Sequence, residues 1–192
     1  MPRLIPGLLV AVSIFAVPLA YARVRELHLR NFRVVEDGVL YRSAQLSPYG
    51  LDRIIHDYGI RTVVSFRDVE EGKAVVPPDQ WEESFCAIRG INYVRMPLGE
   101  WHYKHGVIPA EDNARRFLEI VNDPTKRPVL VHCFRGVHRT GSYCAIYRME
   151  CQEWSNADAL DELKALGYDN LDKEDDVRGY LERYVPGSKK RR

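Results

Sequence analysis

The stretch from Pro128 to Gly141 constrains the fold of this chain more than any other. Pro128-Val129-Leu130-Val131-His132 reads as a short strand with apolar residues on both faces, and such a strand has to be covered on both sides. It passes through Cys133-Phe134-Arg135-Gly136-Val137-His138-Arg139 into Thr140-Gly141 at the start of a helix. A buried strand that turns through one tight loop into a helix belongs to a layered α/β domain rather than to a sandwich or a bundle.

The punctuation elsewhere repeats this alternation. Phe32 to Val35 and Val39 to Tyr41 predict a hairpin around Asp37-Gly38. Ser47-Pro48 supplies a cap and a first-turn proline for a helix to Tyr58, which Gly59 stops. Ile60 to Phe66 and Ile91 to Met96 predict strands; Pro77-Pro78 to Ile88 and Pro109 to about Asn122 predict helices. Beyond the loop, helices are expected from about Thr140 to Glu153, from Ser155 (with Asp158 as its capping-box partner) to Gly167, and from about Lys173 to Val185. The expected fold is α/β, a central mostly parallel sheet flanked by helices. Cys144 and Cys151, seven apart on one predicted helix face, are expected in the core.

The ends stand apart from this body, which runs from 23 to 188. Residues 1–22 read as a secretory signal peptide: Arg3, an apolar run from Leu4 to Leu19, then Ala20-Tyr21-Ala22 as a cleavage signal. Cleavage after Ala22 would place the protein in a secreted or periplasmic location. The alternative is an uncleaved membrane anchor, although Pro6, Gly7 and Pro18 interrupt the run and it is short for a spanning helix. Residues 189–192, Lys189-Lys190-Arg191-Arg192, form a basic tail expected to be solvated. With 192 residues, 45% hydrophobic and 29% charged, the chain has the composition of one ordinary globular domain. Its net charge of +1 argues against general nucleic-acid binding, and four cysteines are too few for a disulfide scaffold.

The strand–loop–helix junction carries the chemistry. A loop of this kind turns successive backbone N–H groups towards one point, and the helix behind it adds the positive end of its dipole. Phe134, Arg135, Gly136, Val137, His138 and Arg139 are the expected phosphate-binding residues. Gly136 permits the bend, and the planar fork of Arg139 matches two phosphate oxygens. The same positive field favours the reactive thiolate of Cys133.

His132 to Gly141 resembles the HCxxGxxRTG signature of cysteine-dependent protein tyrosine and dual-specificity phosphatases, matching all six fixed positions. The stretch NFRVVEDGVLYRSAQ ending at Gln45 is similar to the opening hairpin of small bacterial and atypical dual-specificity phosphatases. Ile60 to Asp68 looks like their next strand, and Tyr147 through Tyr168 like the helices after their signature. The likeness covers most of Asn31 to Tyr184. Low-molecular-weight phosphatases carry their loop near the N-terminus, and rhodanese-like proteins lack the Arg-Thr-Gly helix start in this form.

The resemblance implies a protein tyrosine phosphatase-like fold of dual-specificity size and a two-step reaction through a phosphocysteine on Cys133. Arg139 and the loop N–H groups would hold the equatorial oxygens. Thr140 would assist release of the cysteine, and His132 would orient the loop and help keep the thiol ionised. Neither a cofactor nor a metal is required. The family's acid is an aspartate on the loop that here runs from Pro97 to Pro109, which contains none. Glu100 is its only carboxylate and the expected general acid, with Asp68, Asp112 and a water or the lack of a side-chain acid as alternatives. His102 and His105 suggest a metal pair, but no further ligand set accompanies them. Trp101 and Tyr103 either line a substrate cleft or pack their loop down. Arg42 and Arg67 either add charge near the site or lie in solvent. Cys86 is either a buried thiol or, as in some family members, a resolving partner for Cys133.

The implied partner is a phosphorylated protein or a small phosphate ester. Phosphotyrosine, with dual specificity, is the leading substrate class. The loop is also similar to HCxRGKHRTG, found in plant and fungal atypical dual-specificity phosphatases that act on inositol pyrophosphates, with Val137 in place of the lysine. An inositol phosphate or phosphoinositide phosphatase is therefore the alternative, and a non-catalytic phosphate-binding module a third reading.

Overall fold

The computed structural model describes residues 14–23, 27–67, 76–96, 99–102 and 106–187. The expectations for residues 1–13, Asp68, Tyr103, His105 and the 189–192 tail fall outside these.

Five strands form one sheet: β1 (Arg33–Glu36), β2 (Leu40–Ala44), β3 (Thr62–Ser65), β4 (Asn92–Arg95) and β5 (Val129–Cys133). Their spatial order is β1-β2-β5-β3-β4. The β1–β2 hairpin is antiparallel, and every other pairing is parallel. This is the expected mostly parallel sheet, with the strand that carries Cys133 at its centre. The helices are α1 (Pro48–Tyr58), α2 (Gln80–Ile88), α3 (Pro109–Asn122), α4 (His138–Cys151), α5 (Asn156–Ala165) and α6 (Asp175–Glu182).

Strand parity sorts the core into two layers, because successive side chains leave a strand on opposite faces. Val129, Val131 and Cys133 face one layer together with Val64, Phe117 and the buried residues of α4. Leu130 and Val63 face the other, against Leu51 and Ile54 of α1 and Cys86 of α2. Burial of such side chains contributes roughly 1.5–3 kcal/mol each. Helix α4 buries nine of its fourteen residues, so it is covered nearly all round, between the sheet and α5.

The caps are as the sequence predicts at two helices. Ser47 Oγ accepts the Gly50 N–H at 3.1 Å, and Gly59 closes α1 in the left-handed region at φ 62°. Ser155 Oγ accepts the Asp158 N–H, also at 3.1 Å. Other boundaries differ. Helix α2 starts at Gln80, not at the prolines, and α4 starts at His138, where the Gly141 N–H already bonds the Val137 carbonyl at 2.8 Å. The expected last helix divides into a 3₁₀ turn (Leu171–Lys173) and α6.

Cys151 is exposed and not in the core. Its seven-residue spacing from buried Cys144 preserves the helix face but moves it about 10 Å along the axis. That places it at the last residue of α4, beside Asn122. Residues 14–23 are helical with their apolar side chains exposed, Phe15 at 77% and Leu19 at 73%. Among the described residues, no helix is long and apolar enough to cross a membrane.

Candidate active site

Cys133 is the last residue of the central strand, paired in register with Ala44 of β2. In parallel sheets, ligands bind at the carboxyl ends of the strands. Residues 134–137 make the connection to α4, and Gly136 takes the left-handed region at φ 69°. A Cβ on Gly136 would lie 2.4 Å from the carbonyl carbon and oxygen of Ser43, so only glycine fits between the loop and β2.

The N-terminus of α4 differs from those of the other helices. Helices α1 and α5 have a side-chain cap, and α2, α3 and α6 carry acidic residues in their first turn. Helix α4 has neither. With no side-chain cap and no carboxylate in its first turn, its positive end is suited to an anion.

The sulfur sits inside this field. Cys133 is 5% exposed, and Gly136 donates its N–H to Sγ at 3.2 Å. Burial pushes the thiol pKa up, but the hydroxyl and N–H of Thr140, the Gly136 N–H and the charge of His132 outweigh it and hold Cys133 below the ordinary thiol range. The other buried thiols behave oppositely. Burial pushes Cys86 up to about 12 and Cys144 up to about 11.

His132 has the opposite parity and points into the α2 layer. Its Nε2 lies 3.1 Å from Glu82 Oε2, with both side chains 1% exposed. Burial works against its charge, yet the Glu82 carboxylate outweighs burial and lifts the imidazole pKa above its ordinary value. Next to this pair, buried Asp79 accepts from Ser65 Oγ and Tyr93 OH, both at 2.5 Å, and from Arg95 Nε at 3.1 Å.

Arg139 is anchored by Nη1, which donates to the Phe66 carbonyl at 2.9 Å. Beside it opens a cleft of about 250 Å³, lined in part by Phe66, Trp101, Tyr143 and Tyr168. Trp101 also packs against Tyr143 and Tyr180, at ring separations of 5.3 and 5.0 Å, so it both lines the cleft and is packed against α4 and α6. His138 stacks on Tyr168 with ring centroids 4.3 Å apart. At the start of the loop, Phe134 is 53% exposed, with the guanidinium carbons of Arg30 and Arg67 at 5.6 and 5.0 Å from its ring centre.

The three carboxylates considered for the acid are not equivalent. Gly99 and Trp101, on either side of Glu100, line the cleft, and Glu100 Oε2 lies 3.7 Å from His102 Nε2. Asp112 pairs with Arg115 at 2.7 Å in the first turn of α3, with its side chain 79% exposed. Asp68 lies outside the described residues. Two further carboxylates, Glu174 and Asp176, line the cleft and were not expected from the sequence. Glu174 is engaged by Tyr168 OH at 2.5 Å and by Asn170. Asp176 accepts the Val177 N–H at 2.8 Å and lies 3.8 Å from His102 Nδ1.

Arg42 is not in solvent. It is 3% exposed and donates from Nη2 to the Gly136 carbonyl at 2.8 Å. Arg67 lies beside the loop, donating to Gln45 Oε1. Among the described residues, no group of three or more His, Cys, Asp or Glu side chains gathers as a metal site.

The model for "DSP-PTPase phosphatase fused to NAD+ Kinase" matches residues 21–179. The chain belongs to this DSP-PTPase phosphatase family. Among curated relatives, the inositol diphosphatase DSP1 of Oryza sativa subsp. japonica is 42% identical over 132 residues, which are 69% of this chain and 54% of that protein. The dual specificity protein phosphatase TpbA of Pseudomonas aeruginosa is 39% identical over 54 residues, 28% of this chain and 25% of TpbA. The matches thus span a quarter to about half of these relatives. The core catalytic domain of the PP-IP phosphatase SIW14 from S. cerevisiae superposes with a TM-score of 0.65 at 24% identity, covering 85% of this chain and 91% of that one. It has the same protein tyrosine phosphatase-like fold expected from the resemblance.

Proposed function

We propose that this DSP-PTPase phosphatase hydrolyses phosphate monoesters through a phosphocysteine on Cys133. The observation that carries the reading is the sulfur's position: Gly136 N–H at 3.2 Å and an uncapped, acid-free α4 N-terminus whose first turn contains Arg139. The Cys133 thiolate attacks phosphorus, and an S–P bond forms as the P–O bond to the leaving oxygen breaks. Arg139 and the loop N–H groups hold the equatorial oxygens. Glu100 gives its proton to the leaving oxygen. Water then attacks phosphorus, the S–P bond breaks, the thiolate returns and Glu100 takes up the water's proton. Thr140 stabilises the sulfur as it leaves, and Glu82 raises the pKa of His132 behind it, favouring the charged imidazole.

For the substrate, the aromatic cleft beside Arg139 suits the ring of a phosphotyrosyl side chain. Glu174 and Asp176 disfavour a second phosphate on that side. A second reading, an inositol phosphate or inositol diphosphate, is supported by the basic cluster at the start of the loop. There Arg30 and Arg67 flank Phe134, and the rice relative is named for that activity. Turnover of phosphotyrosyl peptides, phosphoseryl peptides and inositol phosphates by the same preparation separates them. A kcat/KM highest on the aryl phosphate supports the first reading; preference for the polyphosphate, abolished by Arg30→Ala with Arg67→Ala, replaces it with the second.

We also propose that residues 1–22 direct export and are removed after Ala22. The exposed apolar face of residues 14–23 supports this, since it packs into neither core layer.

A further inference from the structure

We propose that the segment from Asn31 to Gln45 is a template that holds the anion loop in its binding conformation, with Asn31 and Arg42 as positioning residues. The proposal rests on the phosphatase reading and adds two residues to which that chemistry assigns no role.

Three consecutive carbonyls of the loop accept hydrogen bonds from this one segment. Phe134 O accepts from the Gln45 N–H at 3.3 Å, Arg135 O from Asn31 Nδ2 at 2.8 Å, and Gly136 O from Arg42 Nη2 at 2.8 Å. In a planar trans peptide, the N–H of the next residue points away from the carbonyl. Fixing the carbonyls of 134, 135 and 136 outward therefore turns the N–H groups of 135, 136 and 137 inward. The Gly136 N–H at 3.2 Å from Cys133 Sγ shows the result at the middle position. A single flipped peptide would aim a carbonyl oxygen at the bound phosphate and reverse the sign of that contact.

The donors are themselves held in place. Asn31 has φ 51°, a left-handed conformation that asparagine tolerates better than most residues. The carbonyl of the preceding residue, Arg30, accepts the Ala44 N–H at 2.9 Å, which ties the turn to the end of β2. Arg42 is buried, and among the described residues it forms no ion pair. A buried guanidinium without a carboxylate is costly by itself. Placed under an anion loop, its charge adds to the field that receives phosphate.

The test uses inorganic phosphate as the probe and needs no turnover. Asn31→Gly keeps the left-handed backbone and removes only the donor; Asn31→Asp keeps the shape and replaces donor with acceptor. In a Cys133→Ser background, phosphate affinity measured by calorimetry should fall about tenfold in Asn31→Gly and further in Asn31→Asp. With Cys133 present, its thiolate absorbance should titrate at a higher pH in Asn31→Gly than in the parent. Arg42→Met should show both effects more strongly; since it can also impair folding, the exposed Asn31 variants decide. If Asn31→Gly binds phosphate and titrates like its parent, the template is wrong. If the parent itself binds no phosphate, the anion-site reading fails. The Cys133 titration still judges the template in that case.

Discussion

At the scale of single residues, Gly136 and the two buried ionisable groups beside it make the sharpest demands. Gly136→Ala adds a Cβ 2.4 Å from the Ser43 backbone, which cannot swing aside, at a positive φ that already costs alanine about 1 kcal/mol. We expect a lower denaturant midpoint and loss of phosphate inhibition; wild-type values for both would contradict the geometry. The thiol gives a second expectation. A depressed folded pKa contributes stability above the unfolded pKa and loses it as pH falls through the folded value. Cys133 should therefore be alkylated by iodoacetamide with a midpoint below the ordinary thiol value of about 8.5, while Cys86 and Cys144 stay inert there. His132 has the opposite sign: its raised pKa stabilises fully below the unfolded value of about 6.5, and this is lost as pH rises through the folded one. Glu82→Gln should lower the His132 pKa and move the Cys133 alkylation midpoint upward. An unmoved midpoint in a folded Glu82→Gln protein would separate the pair from the nucleophile.

At the scale of elements, the loop carrying Glu100 is the part of the site to resolve by mutation. Glu100→Gln should lose roughly 10²-fold or more in kcat on a substrate with a poor leaving group, and much less on a good one. If Glu100→Gln is near wild type and Asp176→Asn is crippled, the acid comes from α6. The Cys133–Thr140 junction was legible because one strand, one loop and one helix start occupy contiguous residues. Glu82 was not, because a glutamate in a helix's first turn ordinarily serves the dipole, and only the packing of α2 under β5 buries it against His132. Arg42 was ambiguous for a related reason. Every residue of β2 is buried, but a four-residue hairpin partner on its open side made solvent a reasonable expectation. Asn31, Glu174 and Asp176 reach the site from 104 residues upstream or about 40 downstream of the loop, and no local pattern marks such distances. Cys151 misled because heptad spacing reports a helix face and not where the covering layer ends.

At the scale of the molecule, the sheet order places one strand end, two helix layers and the opening hairpin around the proposed anion site. Export adds its own expectation. N-terminal sequencing of native protein should begin at Arg23, and a chain retaining residues 1–22 in a membrane fraction would favour the anchor. An oxidising location also exposes a low-pKa thiol, so activity of isolated protein should rise on adding a reductant. The central claim is the covalent intermediate, and rapid-quench mass spectrometry during turnover of an aryl phosphate tests it most directly. The account predicts a transient single-phosphoryl mass increase confined to the peptide carrying Cys133, absent in Cys133→Ser, which should also be inactive. Steady turnover with no adduct on that peptide, together with an active Cys133→Ser enzyme, would contradict it.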